Sequence, residues 1–185
     1  MGGSKRYVKA CFTGHRPEKF GGYAKGNPTQ KAVKDELAKI IWDLTQENDI
    51  TKFYSGMAIG VDTWAAEEVR LCASILNPER RHDIPMARLV AVIPFVGQQN
   101  RWPVESQLKW AELIHEADDL YFVDKEGYAP WKLLNRNKWM VDHSDIVIAV
   151  WDGSEKGGTA HCVRYAKKQK KKVINLWEPI LKRLD

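Results

Sequence analysis

The order of hydropathy along the chain constrains its fold more than any other feature. Short β-rich apolar runs alternate with longer segments whose apolar residues recur every three or four positions. The runs are Tyr7–Phe12, Ile50–Tyr54, Leu89–Pro94, Asp119–Val123, Asp145–Trp151 and Lys172–Leu176. Between them the spacing predicts a helix capped at Asn27 or Thr29 and ending near Glu47–Asp49. Further helices are predicted over Val61–Leu76, Val104–Glu116, Pro130–His143 and from Gly158 to about Gln169. LVAVIP, from Leu89 to Pro94, is apolar throughout, as parallel strands are when helices cover both faces, and belongs toward the centre of the sheet. Long crossovers between such strands form right-handed βαβ units. The expected fold is therefore α/β, Rossmann-like and doubly wound: a mainly parallel sheet of about six strands with helices on both faces. A chain of 185 residues is long enough to fill one such domain, expected to span 1–185, and needs no second.

Composition excludes several classes. The chain is 44% hydrophobic and 29% charged, and no run approaches the ~20 apolar residues of a membrane span. Its polar start, Met1–Arg6, lacks the apolar core of a signal peptide, so the expected location is cytoplasmic. Cys11, Cys72 and Cys162 are odd in number and far apart, a pattern of buried apolar thiols rather than of disulfides or a metal site. Net charge is +5, concentrated in RYAKKQKKK from Arg164 to Lys172. Two readings of that run stand: the solvated end of a helix, or a surface attracting nucleic acid or another polyanion.

In doubly wound sheets ligands bind beyond the carboxyl ends of the strands, where the strand order reverses. Three strand-end loops there combine small residues with hydroxyls: Thr13-Gly14-His15-Arg16, Ser55-Gly56-Met57-Ala58-Ile59-Gly60 and Lys156-Gly157-Gly158-Thr159. Glycine admits an anion close to backbone N–H groups, Ser and Thr add donors, and a following helix contributes its positive dipole end. Together they describe a phosphate cradle. Neither GxxxxGK[ST] nor a GxGxxG after the first strand occurs, so ordinary NTPase and dehydrogenase readings lose support. Arg16 is the candidate phosphate contact, whereas His15 is divided between binding, proton transfer and a structural loop role. Pro94-Phe95 and Arg101-Trp102, after the third strand, are candidates for base stacking and phosphate contact. Trp151 and Asp152, leaving the fifth strand, complete the expected ligand site, although packing is the alternative for Trp64, Trp102 and Trp151. Helix faces bearing Trp42, Trp110 and Trp139 are candidate contacts for a homo-oligomer, with core packing again the alternative.

TGHRP after the first strand, SGMAIGVDTWAAE after the second, the Asn135-Arg136-Asn137 helix before DIVIAVWDG, and GGTAHCVRYA resemble the YpsA-like branch of the SLOG superfamily. That superfamily has a Rossmann-like fold and includes the LOG phosphoribohydrolases and the DNA-processing protein DprA. The resemblance implies a nucleotide or nucleotide-derived ligand related to NAD or ADP-ribose. It places Thr13, Gly14, His15, Arg16, Ser55, Gly56, Met57 and Gly60 at that ligand, with Gly157, Gly158 and Thr159 completing the cradle and Asn135 and Arg136 in the pocket. Asp62 is a candidate ribose partner or simply a first-turn carboxylate satisfying the helix dipole. LOG enzymes resemble PGGxGTxxE, yet here the position of that glutamate holds Cys162.

The leading expectation is therefore a sensor or sequestering module for a nucleotide-derived small molecule, with a protein partner or homo-oligomer to report to. No metal and no certain cofactor are expected. The alternatives are an N-glycosidase or phosphoribohydrolase using His15, Asp62 or Glu67 as acid or base, and DprA-like binding of nucleic acid by the basic run.

Overall fold

A computed structural model of the chain describes residues 8–24, 26–47, 50–78, 87–125 and 127–184. Six strands are present: β1 (Val8–Gly14), β2 (Ile50–Ser55), β3 (Arg88–Ile93), β4 (Asp119–Phe122), β5 (Ile146–Val150) and β6 (Lys172–Asn175). They pair in the order β4-β3-β2-β1-β5-β6, and every pair is parallel. The fold is the doubly wound Rossmann-like sheet that the alternation predicts. Strand order reverses at β1, which lies between β2 and β5. β3 is interior but one strand from the edge, and β2 and β1 occupy the centre.

The predicted helices are α1 (Pro28–Glu47), α2 (Val61–Leu76), α3 (Val104–Glu116), α4 (Pro130–Asp142) and α5 (Gly158–Lys168). Asn27 caps α1, its Oδ1 accepting the N–H groups of Thr29 at 2.9 Å and Gln30 at 3.3 Å, with Pro28 at the first helical position. Two elements are absent from the sequence reading: a 3-10 turn over Pro17–Phe20 and a sixth helix, α6 (Trp177–Leu184). In α6, Pro179 sits in the first turn, where a missing N–H costs nothing. Tyr7, Asp49 and most of the polar connection Asn77–Pro85 lie outside the described residues.

Alternate residues of the strands feed two cores. One face of the sheet (Phe12, Phe53, Leu89, Ile93 and Ile148) packs against α1 and α2, with α3 and α6 adding Leu113 and Ile180. The other face (Cys11, Tyr54, Val90, Val92 and Val147) packs against Met140 and Val141 of α4 and Cys162 and Ala166 of α5. All three cysteines are buried and free. No helix of the described residues is long and apolar enough to cross a membrane.

Candidate functional site

β1 and β2 end side by side, and the loops that follow them are built against each other. Gly14 faces Val61, and a Cβ on Gly14 would come within 2.5–2.6 Å of that side chain. Gly60, at φ +104°, faces the His15 carbonyl, 2.8 Å from where its Cβ would stand. Ser55 Oγ donates to the Asp62 carbonyl at 2.7 Å and accepts the Met57 N–H at 3.1 Å. Met57, at φ 53°, sends its side chain into the core. These glycines thus hold one loop against the other, and the Ser55 hydroxyl braces the second loop against the start of α2.

This assembly also closes the amino end of α2. Val61 N–H donates to His15 O at 3.4 Å and Thr63 N–H to Ala58 O at 3.2 Å, so backbone carbonyls occupy donors that an anion would need. The end of α5 is different. Among the described residues, the N–H groups of Gly158, Thr159 and Ala160 have no partner. Gly157, at φ +99°, and Gly158 are exposed with open space before them. Thr13, buried at the end of β1, is close enough to Cys162 of this helix to act on its thiol. Burial pushes that thiol up to about 11, so the residue in the LOG glutamate position is a neutral group at physiological pH.

Behind the second loop lies a buried ion pair. Arg136, from α4, donates through Nη1 to the Gly56 carbonyl and through Nε to Asn137 Oδ1 at 2.8 Å, and Nη1 stands 3.6 Å from Asp62 Oδ2. A Cβ on Gly56 would overlap the guanidinium, so any larger residue there would displace Arg136 from this position. Burial raises the Asp62 carboxyl above its ordinary range, opposed by Arg136, the Ala58 N–H and Arg16. Arg16 is exposed and close enough for its charge to act on both members of the pair. Gln98, after β3, donates to Gly56 O at 3.1 Å, while its buried Oε1 has no partner among the described residues.

His15 and Asp152 span the point where the strand order reverses. His15 Nε2 lies 2.9 Å from Asp152 Oδ1 and 3.3 Å from the Asp152 backbone nitrogen, so it donates to the carboxylate in one tautomer and accepts the N–H in the other. The imidazole also packs against Phe20 and, edge-on, Trp177 of α6. Lys19 Nζ completes the group at 2.6 Å from Asp152 Oδ2. The hydrogen bond from Lys19, helped by Ser154, holds the Asp152 carboxyl far below the usual carboxylate range. A depressed folded-state value contributes stability above the unfolded pKa of about 3.9 that is lost as pH falls. Asp152→Asn is therefore expected to cost about 1–3 kcal/mol at pH 7. Urea melts should show the gap to wild type closing between pH 5 and pH 2; a constant gap would refute the assignment.

The remaining candidates divide. Phe95 is buried edge-on to Tyr128; next to it is Pro94, with exposed Arg101 and half-buried Trp102 on the turn beyond. Trp151 is fastened to its own loop by an indole N–H bond to Ser154 O at 2.9 Å, with Lys167 over the ring. Trp64 packs in the core against Phe20. Asn135 is exposed, and the buried neighbour Asn137 holds Arg136 instead. Glu67 is bound to Lys34 of α1 at 2.5 Å and lies 3.7 Å from Lys109 of α3, which engages it away from the strand-end loops. Sequence reasoning missed Gln98, which carries no motif, and within the Asn135-Arg136-Asn137 segment it marked Asn135 rather than Asn137 as a pocket residue. Among the described residues, no three His, Cys, Asp or Glu side chains converge as metal ligands would.

A parallel sheet with its glycine loops gathered where the strand order reverses defines a Rossmann-like domain of the SLOG class. The family pattern described as YspA SLOG family (YpsA) matches residues 10–178, and the chain belongs to that family. The SPbeta prophage-derived protein YoqJ of Bacillus subtilis is 32% identical, across 77% of this chain and 84% of YoqJ. A UPF0398 protein of Brevibacillus brevis is 25% identical, across 88% of this chain and 82% of its own length. Among solved structures, DprA from Streptococcus pneumoniae superposes with a TM-score of 0.59 at 19% identity, over 91% of this chain but 50% of DprA. DprA from Helicobacter pylori, described with a single-stranded DNA binding mode, gives 0.55 at 19% identity, over 91% of this chain and 64% of that protein. At that identity the likeness is one of fold.

Proposed function

We propose that this protein binds a nucleotide or nucleotide-derived ligand of the NAD or ADP-ribose type and acts as a sensor or sequestering module. The observation that carries the reading is the open amino end of α5 beside Gly157 and Gly158, with the exposed Arg16 on a neighbouring loop and the buried Arg136 of α4 behind the second. Free N–H groups and a helix dipole attract a phosphate, and a guanidinium adds a charge-assisted contact. The unpartnered Gln98 Oε1 adds a buried acceptor next to the second loop. Hydrolysis is the weaker reading: Glu67 is held by lysines, Cys162 is neutral, and the Asp62 carboxylate is occupied by Arg136.

The test is to denature the purified protein, identify released nucleotides by mass spectrometry, and titrate NAD and ADP-ribose in a thermal-shift assay. A ligand at a hundred times its Kd stabilises by about 2.7 kcal/mol, a rise of roughly 5–10 °C for a domain of this size. Arg16→Ala is expected to weaken binding by roughly 10- to 150-fold, the worth of a hydrogen bond to a charged group. No released nucleotide and no shift from either compound would remove the reading.

DprA-like binding of nucleic acid is a second reading, favoured by the lysines that end α5 and enter β6. They lie at the opposite end of α5 from Gly158. Such binding would weaken steeply with salt and be indifferent to Arg16→Ala.

A further inference from the structure

The two edges of the sheet are protected unequally. β6 opens with Lys172, directly after Lys170 and Lys171, and is followed by α6. Lysines of that kind deter another strand from pairing with an edge. β4 has no such guard. Its sequence is Asp-Leu-Tyr-Phe, without lysine or proline, and Asp119 is turned to Lys52 at 3.8 Å and Arg88 at 3.7 Å. Leu120, Tyr121 and Phe122 are 42%, 46% and 50% exposed. Among the described residues, the outer N–H and C=O groups of β4 have no ladder partner.

The helix before β4 extends this apolar surface. Leu120 and Phe122 are in register with Ala91 and Ile93 of β3 and share their sheet face, the face on which α3 packs. Within α3, Trp110, Leu113 and Ile114 turn to the core, while Lys109 and Glu116 turn to Glu67 and Arg70 of α2. The spacing of Val104, Leu108 and Ala111 forms a stripe turned away from both. Val104 is 71% and Leu108 67% exposed. With a full side chain taken as roughly 180 Å², Leu120, Phe122, Val104 and Leu108 expose on the order of 400 Å² on this side, and Tyr121 adds its exposed part on the opposite face of the same edge.

We propose that the β4 edge and the outer stripe of α3 form the interface through which two copies of this chain pair about a twofold axis. A homodimer interface buries about 800 Å² per partner, of which about 65% is apolar, which requires on the order of 500 Å² of apolar surface from each copy. Around a twofold axis a strand edge meets itself antiparallel, so the unpaired groups of β4 complete one another's ladder. Charge favours the same partner. The chain carries +5, but the basic run lies at the opposite edge of the sheet, so the copies meet at uncharged residues with their cationic ends apart. Of the helix tryptophans expected at such a contact, Trp110 packs on the core and Trp139 on Tyr54, Tyr121 and His143, whereas Trp42 of α1 is exposed.

Sedimentation velocity of the purified chain at tens of micromolar tests this. Twice the chain mass is expected, falling to a single chain mass in Phe122→Lys with the circular dichroism of wild type. Leu120→Cys, in the middle of β4, should cross-link to its own copy under copper–phenanthroline, whereas Lys172→Cys at the far edge should not; the natural cysteines are buried. A wild-type chain that sediments as a monomer overturns the proposal, including one that gains mass only with a different protein. So does a folded Phe122→Lys dimer. If Phe122→Lys fails to fold, the cysteine pair decides, and absence of the Leu120→Cys cross-link overturns the proposal.

Discussion

Arg136→Met is expected to destabilise the protein by about 3–5 kcal/mol, because it leaves the Asp62 carboxylate buried without its counter-charge. The Gly56 carbonyl keeps the Gln98 amide as its donor, so the lost charge and not the lost hydrogen bond dominates. A signature in pH follows. Burial already raises the Asp62 carboxyl in the folded state, and loss of Arg136 raises it further. A raised folded-state value means the penalty is absent below the unfolded pKa of about 3.9, grows as pH rises from there to the folded value, and is constant above it. Urea melts should therefore show the smallest deficit at acid pH and the largest above neutrality. Asp62→Asn in the Arg136→Met background should recover part of the loss, with a coupling of about 0.5–3 kcal/mol. A deficit that is independent of pH would show that Arg136 acts by packing alone.

Gly60→Ala should cost about 2–4 kcal/mol, with Gly157→Ala as its comparison. Both glycines have φ near +100°, so both substitutions place an L side chain in unfavourable backbone space. Gly157 has nothing within 4 Å of its added carbon, whereas Gly60 would set one 2.8 Å from His15 O and 3.0 Å from Pro17 Cδ. Backbone strain alone accounts for Gly157→Ala, at about 1–3 kcal/mol. The excess at Gly60 measures how tightly the first two loops are joined. Equal losses in denaturant melts would contradict that close approach.

The sheet was legible because each strand is a short apolar run bounded by turn residues, and the helix faces because their apolar spacing is regular. α6 escaped because its eight residues include Pro179 and hold too few apolar positions for a period to emerge. The strand-end loops were located, but several glycines serve another purpose than a sequence alone discloses. Gly14, Gly56 and Gly60 make room for Val61, Arg136 and the His15 carbonyl, and only Gly157 and Gly158 border open space in the three loops. No spacing rule pairs His15 with Asp152, since their contact depends on which strands become neighbours. The roles of Asn137 and Gln98 were hidden for a plainer reason: an amide in a polar segment is informative only once its partner is known.

The parallel topology also fixes when the site can come into being. β1 hydrogen-bonds β2 across a gap of about forty residues, but its pairing with β5 joins Cys11 to Val147, and His15 meets Asp152 across 137 positions. Closing so long a loop is slow and entropically costly, and its reward arrives only at the end. On a ribosome, the first two loops can dock while most of the chain is unmade. The third loop can join them only once α4 and β5 have followed, because it is β5 that pairs with β1.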